Sequence, residues 1–118
     1  MEMAELHELY STASKLKDQN QNEEAISKLL EILEIDESFV LAHLALSVIY
    51  GRVGRHQEAV QHGQRACELD PSDAFNFTAL SVTCQRASQA VDNAADNQRY
   101  IQAAEQAMAQ AHQLQGDM

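Results

Sequence analysis

The feature that most constrains this chain is a seven-residue segment that occurs twice. The chain reads ILEIDES at 32–38 and ACELDPS at 66–72, so a glutamate, an aliphatic residue, an aspartate and a serine recur in step. The same shift aligns Ala25 with Ala59, and a second shift aligns AHLALSVIY (42–50) with NFTALSVTC (76–84). A fixed period of this length is typical of stacked structural repeats, each of which is one supersecondary unit.

Within each unit, apolar residues recur every three or four positions, as on one face of a helix. Gly54 offers a helix stop, and Asp70-Pro71 ends the following helical run because proline disfavours helix at the residue before it. The sequence therefore predicts one domain of three helix–turn–helix units, over about 6–39, 40–73 and 74–118. The predicted helices span approximately 2–18, 22–34, 38–53, 56–69, 73–91 and 95–115.

Composition agrees with an all-α fold and excludes several kinds of partner. The 118 residues include one proline and four glycines, too few turn-forming residues for an all-β chain. A formal net charge of −10 disfavours nucleic acid and anionic membranes as partners. No apolar run approaches the roughly 18 residues of a membrane span, and the N-terminus does not resemble a signal peptide, so a cytoplasmic protein is expected.

No arrangement of residues typical of catalysis is found. The sequence has no phosphate-binding loop, no nucleophile elbow and no zinc-protease motif, so neither enzyme activity nor a cofactor or metal is predicted. His43 is predicted to fill the core with one hydrogen-bonded nitrogen. Cys67 and Cys84 are predicted to be reduced and buried, although a disulfide between them stays an alternative.

The segment 39–50, FVLAHLALSVIY, is apolar on nearly every side. Leu46 and Tyr50 are expected to pack within their own hairpin. Leu41, Leu44 and Val48 form a further stripe that the hairpin does not use. An exposed apolar patch of this kind usually marks a binding site. The alternative is that the ends of the chain cover these residues.

The middle unit, 40–73, resembles a tetratricopeptide repeat. It matches the pattern of that family at Leu46, Ser47, Tyr50, Ala59, Ala66 and Pro71, and it departs at His43 and Gly63, where the family usually has large aromatic residues. The first unit is more degenerate. The third fits after an insertion of about three helical turns that would lengthen its hairpin, with a loop at 92–97. The resemblance implies a right-handed superhelix of six helices.

The resemblance also implies a concave groove that holds partner peptides, in an adaptor, a scaffold or a small chaperone. Position by position, the groove would be lined by Tyr10, Ser14, Leu41, Leu44, Val48, Phe75, Thr78 and Val82, with Lys17, Arg52 and Arg86 at one end. The positions at which one subset of the family grips an acidic C-terminus hold Tyr10, Ser14, Ala45, Phe75 and Ala79, which cannot do so. An apolar or amphipathic polypeptide is therefore the expected ligand. Self-assembly into a homo-oligomer through the groove and the ends of the array remains the alternative.

Overall fold

The chain folds into six helices, as seen in a computed structural model that describes residues 3–116. The helices are α1 (Met3–Asp18), α2 (Asn22–Ile35), α3 (Val40–Arg52), α4 (His56–Leu69), α5 (Ala74–Ala90) and α6 (Ala94–Leu114). No strand occurs in this part of the chain, which confirms the all-α prediction. The described helix ends lie within two residues of the predicted ends. No helix of the described residues is both long and apolar enough to cross a bilayer.

The turns inside the first two hairpins have the same geometry and lie one repeat period apart. After α3, Gly54 adopts a positive φ of 84°, and the amides of Gly54 and Arg55 donate to the carbonyls of Gly51 and Tyr50. After α1, Asn20 has a φ of 60°, and the amides of Asn20 and Gln21 donate to Lys17 and Leu16. Both are Schellman-type helix ends, in which one residue in the left-handed region lets the chain reverse. Gly54 therefore acts as the predicted helix stop.

The repeated heptapeptides form the two turns that connect one hairpin to the next. The Ser38 hydroxyl donates to the Asp36 carboxylate at 2.7 Å. The Ser72 hydroxyl makes the same bond to Asp70 at 3.3 Å. In both turns the aspartate amide donates back to a helix carbonyl four residues earlier. The aspartate and serine thus recur in the sequence because the same turn recurs in the fold.

The third hairpin is longer than the other two. Helices α5 and α6 have 17 and 21 residues, against 16 and 14 in α1 and α2 and 13 and 14 in α3 and α4. The predicted loop at 92–97 is wrong in extent, because α6 already begins at Ala94. The Asn93 side chain caps α6 by accepting from the Asp96 amide at 2.8 Å, and its own amide donates to the Asp96 carboxylate. This reciprocal capping starts the helix earlier than the composition indicates.

The helices pack in chain order, and the first helices of neighbouring hairpins also touch: α1 contacts α3, and α3 contacts α5. The core has two clusters. One is built around Leu29, Ile32, Leu46 and Ile49 from α2 and α3, and the other joins α4 to α5 and α6. The small residues predicted to lie between helices are buried; these are Ala13, Ser47, Ala59 and Ala66.

A pair of histidines connects α3 to α4; His43 is buried and His62 is half-buried. His43 is 3% exposed, and its Nε2 donates to the Glu37 carbonyl at 2.8 Å. In a neutral ring Nδ1 is then an acceptor, and it lies 3.0 Å from the Nδ1 of His62, which must be the donor. The Tyr50 ring stacks on His62 with centroids 5.6 Å apart. Both nitrogens of His43 are thus bonded, and not one as predicted, because His62 turns inward to meet it.

This pair predicts a loss of stability in mild acid. Burial of the imidazole, and then the neighbouring His43, lower the pKa of His62 below its ordinary value of 6.5, although Glu58 opposes the shift. The unfolded chain therefore takes up this proton more readily than the folded chain. The contribution of neutral His62 to the free energy of unfolding is therefore complete above pH 6.5. It is lost as the pH falls from 6.5 to the pKa of His62 in the folded state.

Urea unfolding at about pH 7.5 and about pH 5.5, on either side of the ordinary histidine pKa, measures this effect. We expect the His62→Gln variant to lose less stability on acidification than the wild type. The variant removes one of the two histidines in contact and leaves every other titrating group in place, so the difference between the two proteins reports the titration of this pair. An equal loss in both proteins would contradict the prediction.

Candidate functional site

A groove of about 300 Å³ runs between α3 and α5, with α4 as its floor. We call it the α3–α5 groove. Helix α3 forms one wall and α5 forms the other. Helix α4 packs against α3 and forms the floor. The lining residues are Leu44, Ser47, Val48, Gly51, His56, Gly63, Phe75, Asn76, Thr78, Ala79, Leu80, Val82, Thr83 and Arg86.

The walls of the groove expose large apolar side chains to solvent. Val48 is 44% exposed, Val82 38% and Phe75 65%. Val48 lies on the α3 wall, and Phe75 and Val82 both lie on the α5 wall. Phe75 and Val82 are two helical turns apart, so they lie on the same face of α5. An aliphatic or aromatic side chain contributes roughly 1.5–3 kcal/mol when it goes from full exposure to full burial. No described segment of the chain covers these residues, so a partner that did so would gain part of this free energy.

Gly63 lets the floor of the groove lie close to both walls. A Cβ atom at this position would lie 3.1 Å from Leu80 Cδ1 and 3.2 Å from Ser47 Oγ. Both distances are shorter than normal van der Waals contact, so a side chain at this position would force the side chains of Leu80 and Ser47 to move. Glycine leaves this part of the floor without a side chain.

The hydroxyl groups in the walls are largely occupied by local bonds. The Thr83 hydroxyl donates to the Ala79 carbonyl at 3.0 Å and accepts from Ser47 at 3.3 Å. The Thr78 hydroxyl donates to the Ala74 carbonyl at 3.2 Å. Among the described residues, only the Nδ1 atom of His56 is both shielded from solvent and unbonded in this groove. The surface offered to a ligand is therefore mainly apolar.

The charge of the groove is opposite in sign to that of the whole chain. Neither α3 nor α5 contains an aspartate or a glutamate, whereas the full sequence has 18 of them. Arg86 lines the groove. Arg52 lies at the C-terminal end of α3 and donates to the Lys17 carbonyl at 3.2 Å. One end of the groove is thus cationic within an acidic protein.

The structure brings together six of the residues that the sequence placed in a groove: Leu44, Val48, Phe75, Thr78, Val82 and Arg86. Tyr10, Ser14, Leu41 and Arg52 do not line it. Tyr10 instead packs against Phe39, with ring centroids 6.1 Å apart, and joins the first core cluster. Leu41 is 43% exposed one turn before Leu44, outside the groove. The floor residues His56 and Gly63 were missed, and a glycine inside a helical run is the one signal that pointed to a close approach.

The two cysteines are the other candidate reactive groups, and both lie in the core. Cys67 and Cys84 are free and buried, as predicted. Burial raises the pKa of both thiols to about 11, so they stay protonated at neutral pH. The part of the chain that the structure describes contains no group of three or more histidine, cysteine or acidic residues placed to hold a metal ion.

Comparison with known proteins gives no direct guide to function. Neither a protein-family model nor a curated protein matches this sequence. Function must therefore be inferred from the groove itself, that is, from its apolar walls, from Gly63 in its floor and from the arginine at one end.

Proposed function

We propose that this protein is a non-catalytic interaction module that binds an apolar or amphipathic polypeptide segment in the α3–α5 groove. In this proposal the three hairpins form a tetratricopeptide-like array with a right-handed superhelical arrangement. The protein would act as an adaptor, a scaffold or a small chaperone in the cytoplasm. It would need no cofactor or metal.

Two observations support the repeat array. The hydrogen bonds of the turns recur with the same shift as the sequence repeat, both inside the first two hairpins and between hairpins. The first helices also follow one another side by side, with α1 against α3 and α3 against α5. Stacked repeats share a core in this way because one hairpin cannot bury its apolar faces alone.

The observation that carries the binding proposal is the open apolar surface of the walls, above all Phe75 at 65% exposure. A partner helix or extended segment can place hydrophobic side chains against such a surface at regular spacing. The groove volume of about 300 Å³ suits a few side chains of a peptide. A ligand of this kind also avoids the overall negative charge, because the groove itself has no acidic residue in its described lining.

Peptide capture is favoured over end-to-end self-assembly by the outer face of α6. Most of its exposed residues are polar, and the others are alanines; the polar ones are Gln98, Arg99, Gln102, Glu105, Gln106, His112 and Gln113. Its larger apolar residues, Ile101, Met108 and Leu114, are partly buried. Repeat arrays usually end in such a polar face, which keeps the last repeat from stacking further.

Selection from a library of displayed random peptides, each of about twelve residues so that it can supply several anchors, tests this proposal. We expect the immobilised protein to enrich peptides with two or more large apolar residues at helical or alternating spacing. Synthetic copies should bind with a one-to-one stoichiometry, and the free protein should sediment as a monomer at tens of micromolar. Failure to enrich any peptide, together with a stable homo-oligomer in sedimentation, would contradict the proposal.

A further inference from the structure

The two helices that form the groove walls differ in charge from the rest of the molecule. The chain has a formal net charge of −10, yet its 18 acidic residues all lie outside α3 and α5. Arg52 and Arg86 are the only lysine or arginine residues in these two helices. Each of the other four helices contains at least two acidic residues, so their absence from both walls leaves one small cationic region next to the apolar surface.

Arg86 is also the one arginine without a bonding partner in the described part of the chain. Arg55, Arg65 and Arg99 each form a salt bridge with a carboxylate. Arg52 donates to a backbone carbonyl. Residues three and four positions from Arg86 on α5 are Val82, Thr83, Gln89 and Ala90, none of which is acidic. The helix therefore offers no carboxylate to its guanidinium.

Arg86 lies next to the apolar surface of the groove. Arg86 lies one turn after Val82 on α5, and both line the groove together with Val48. A segment whose apolar side chains contact the two valines would bring its next residues to the guanidinium. The planar guanidinium can donate two parallel hydrogen bonds to a carboxylate, which gives both attraction and orientation.

We propose that the partner segment carries an aspartate or glutamate side chain beside its apolar anchors, and that Arg86 binds this carboxylate. The inference rests on the proposed function and specifies the chemistry of its ligand. The ligand is an acidic amphipathic segment, bound with its carboxylate at the Arg86 end and its apolar side chains towards Phe75. Since the whole chain is acidic, long-range repulsion works against such a ligand, and a preference for acidic peptides must come from a local cation.

The test uses the same display library with the wild type, Arg86→Gln and Arg99→Gln. The Arg99 variant is the matched control, because it removes the same charge from an exposed residue outside the groove. A selected peptide is then synthesised with an amidated C-terminus, in its acidic form and with Asn or Gln in place of the acidic residue. Fluorescence anisotropy gives the affinity of each peptide for each protein.

We expect the wild type and Arg99→Gln to enrich peptides with one acidic residue next to the apolar ones, and Arg86→Gln to lose this preference. The acidic peptide should bind the wild type about three- to tenfold more tightly than its amide form, a range expected for a partly exposed charge-assisted hydrogen bond. The advantage should disappear in Arg86→Gln and shrink at high salt.

The outcomes separate this inference from the proposed function. Apolar peptides that bind the groove without any acidic preference would overturn the inference and leave the proposed function standing. An acidic preference that persists in Arg86→Gln, or binding that requires a free C-terminal carboxylate, would also overturn the inference. Absence of any peptide binding to the wild type would overturn the proposed function itself.

Discussion

Replacing both Leu44 and Val48 with glutamate is expected to abolish peptide binding while the fold stays intact. Val48 is 44% exposed and Leu44 is partly buried, so both new carboxylates can reach water in the free protein. In the complex they would be covered by apolar side chains and would lose their hydration without gaining a partner. We expect a loss of affinity of at least about 100-fold, equivalent to about 2.7 kcal/mol. Circular dichroism should show unchanged helix content.

The matched control is the double variant Leu30→Glu and Ile35→Glu. These residues lie on α2 outside the groove and are 38% and 42% exposed. The control therefore adds the same charge at two exposed residues outside the groove, and its affinity for the selected peptide should stay within about threefold of the wild type, as for weak surface electrostatics. Equal losses in the two double variants would show that overall charge, and not the groove, governs binding.

Truncation of Leu46 to alanine is expected to cause the largest loss of stability among single leucine truncations in α3. Leu46 is fully buried in the first core cluster, between α3 and its neighbours. Removing its side chain forfeits the burial of several carbons and leaves a cavity, which typically costs about 2–5 kcal/mol. Urea unfolding followed by circular dichroism measures the free energy of unfolding.

Leu41→Ala is the matched comparison, because it makes the same chemical change at a residue on the same helix that is 43% exposed. We expect Leu41→Ala to lower the free energy of unfolding by less than about 1 kcal/mol, since little buried surface is lost. Similar losses in the two variants would mean that Leu41 is packed in solution, which would contradict its exposed position on α3.

The sequence is sufficient to predict the helices because each has a strong local signal. The repeat period locates the hairpins, Gly54 marks one turn, and the Asp-Ser pairs mark the turns between hairpins. The predicted start of α6 is one residue late, and the predicted loop before it is too long. Asn93 and Asp96 resemble loop residues in composition, and only their mutual hydrogen bonds show that they begin a helix.

The candidate site is only partly predictable, because a groove depends on how helices from different hairpins approach. Helical spacing places Leu44, Val48 and Val82 on the correct faces. It cannot show that Tyr10 turns to Phe39 and leaves the groove, which depends on the packing of α1. The contact between His43 and His62 joins two helices and follows no local period.

The most direct test of the groove is a map of the methyl groups that respond to a bound peptide. Nuclear magnetic resonance of methyl-labelled protein, titrated with a selected peptide, reports each leucine, isoleucine and valine side chain separately. We expect the methyl signals of Leu44, Val48 and Val82 to shift together with one affinity, while those of Leu30 and Ile35 stay in place. Shifts confined to α2 or α6, with the groove valines unchanged, would contradict the proposal that a partner segment binds between α3 and α5.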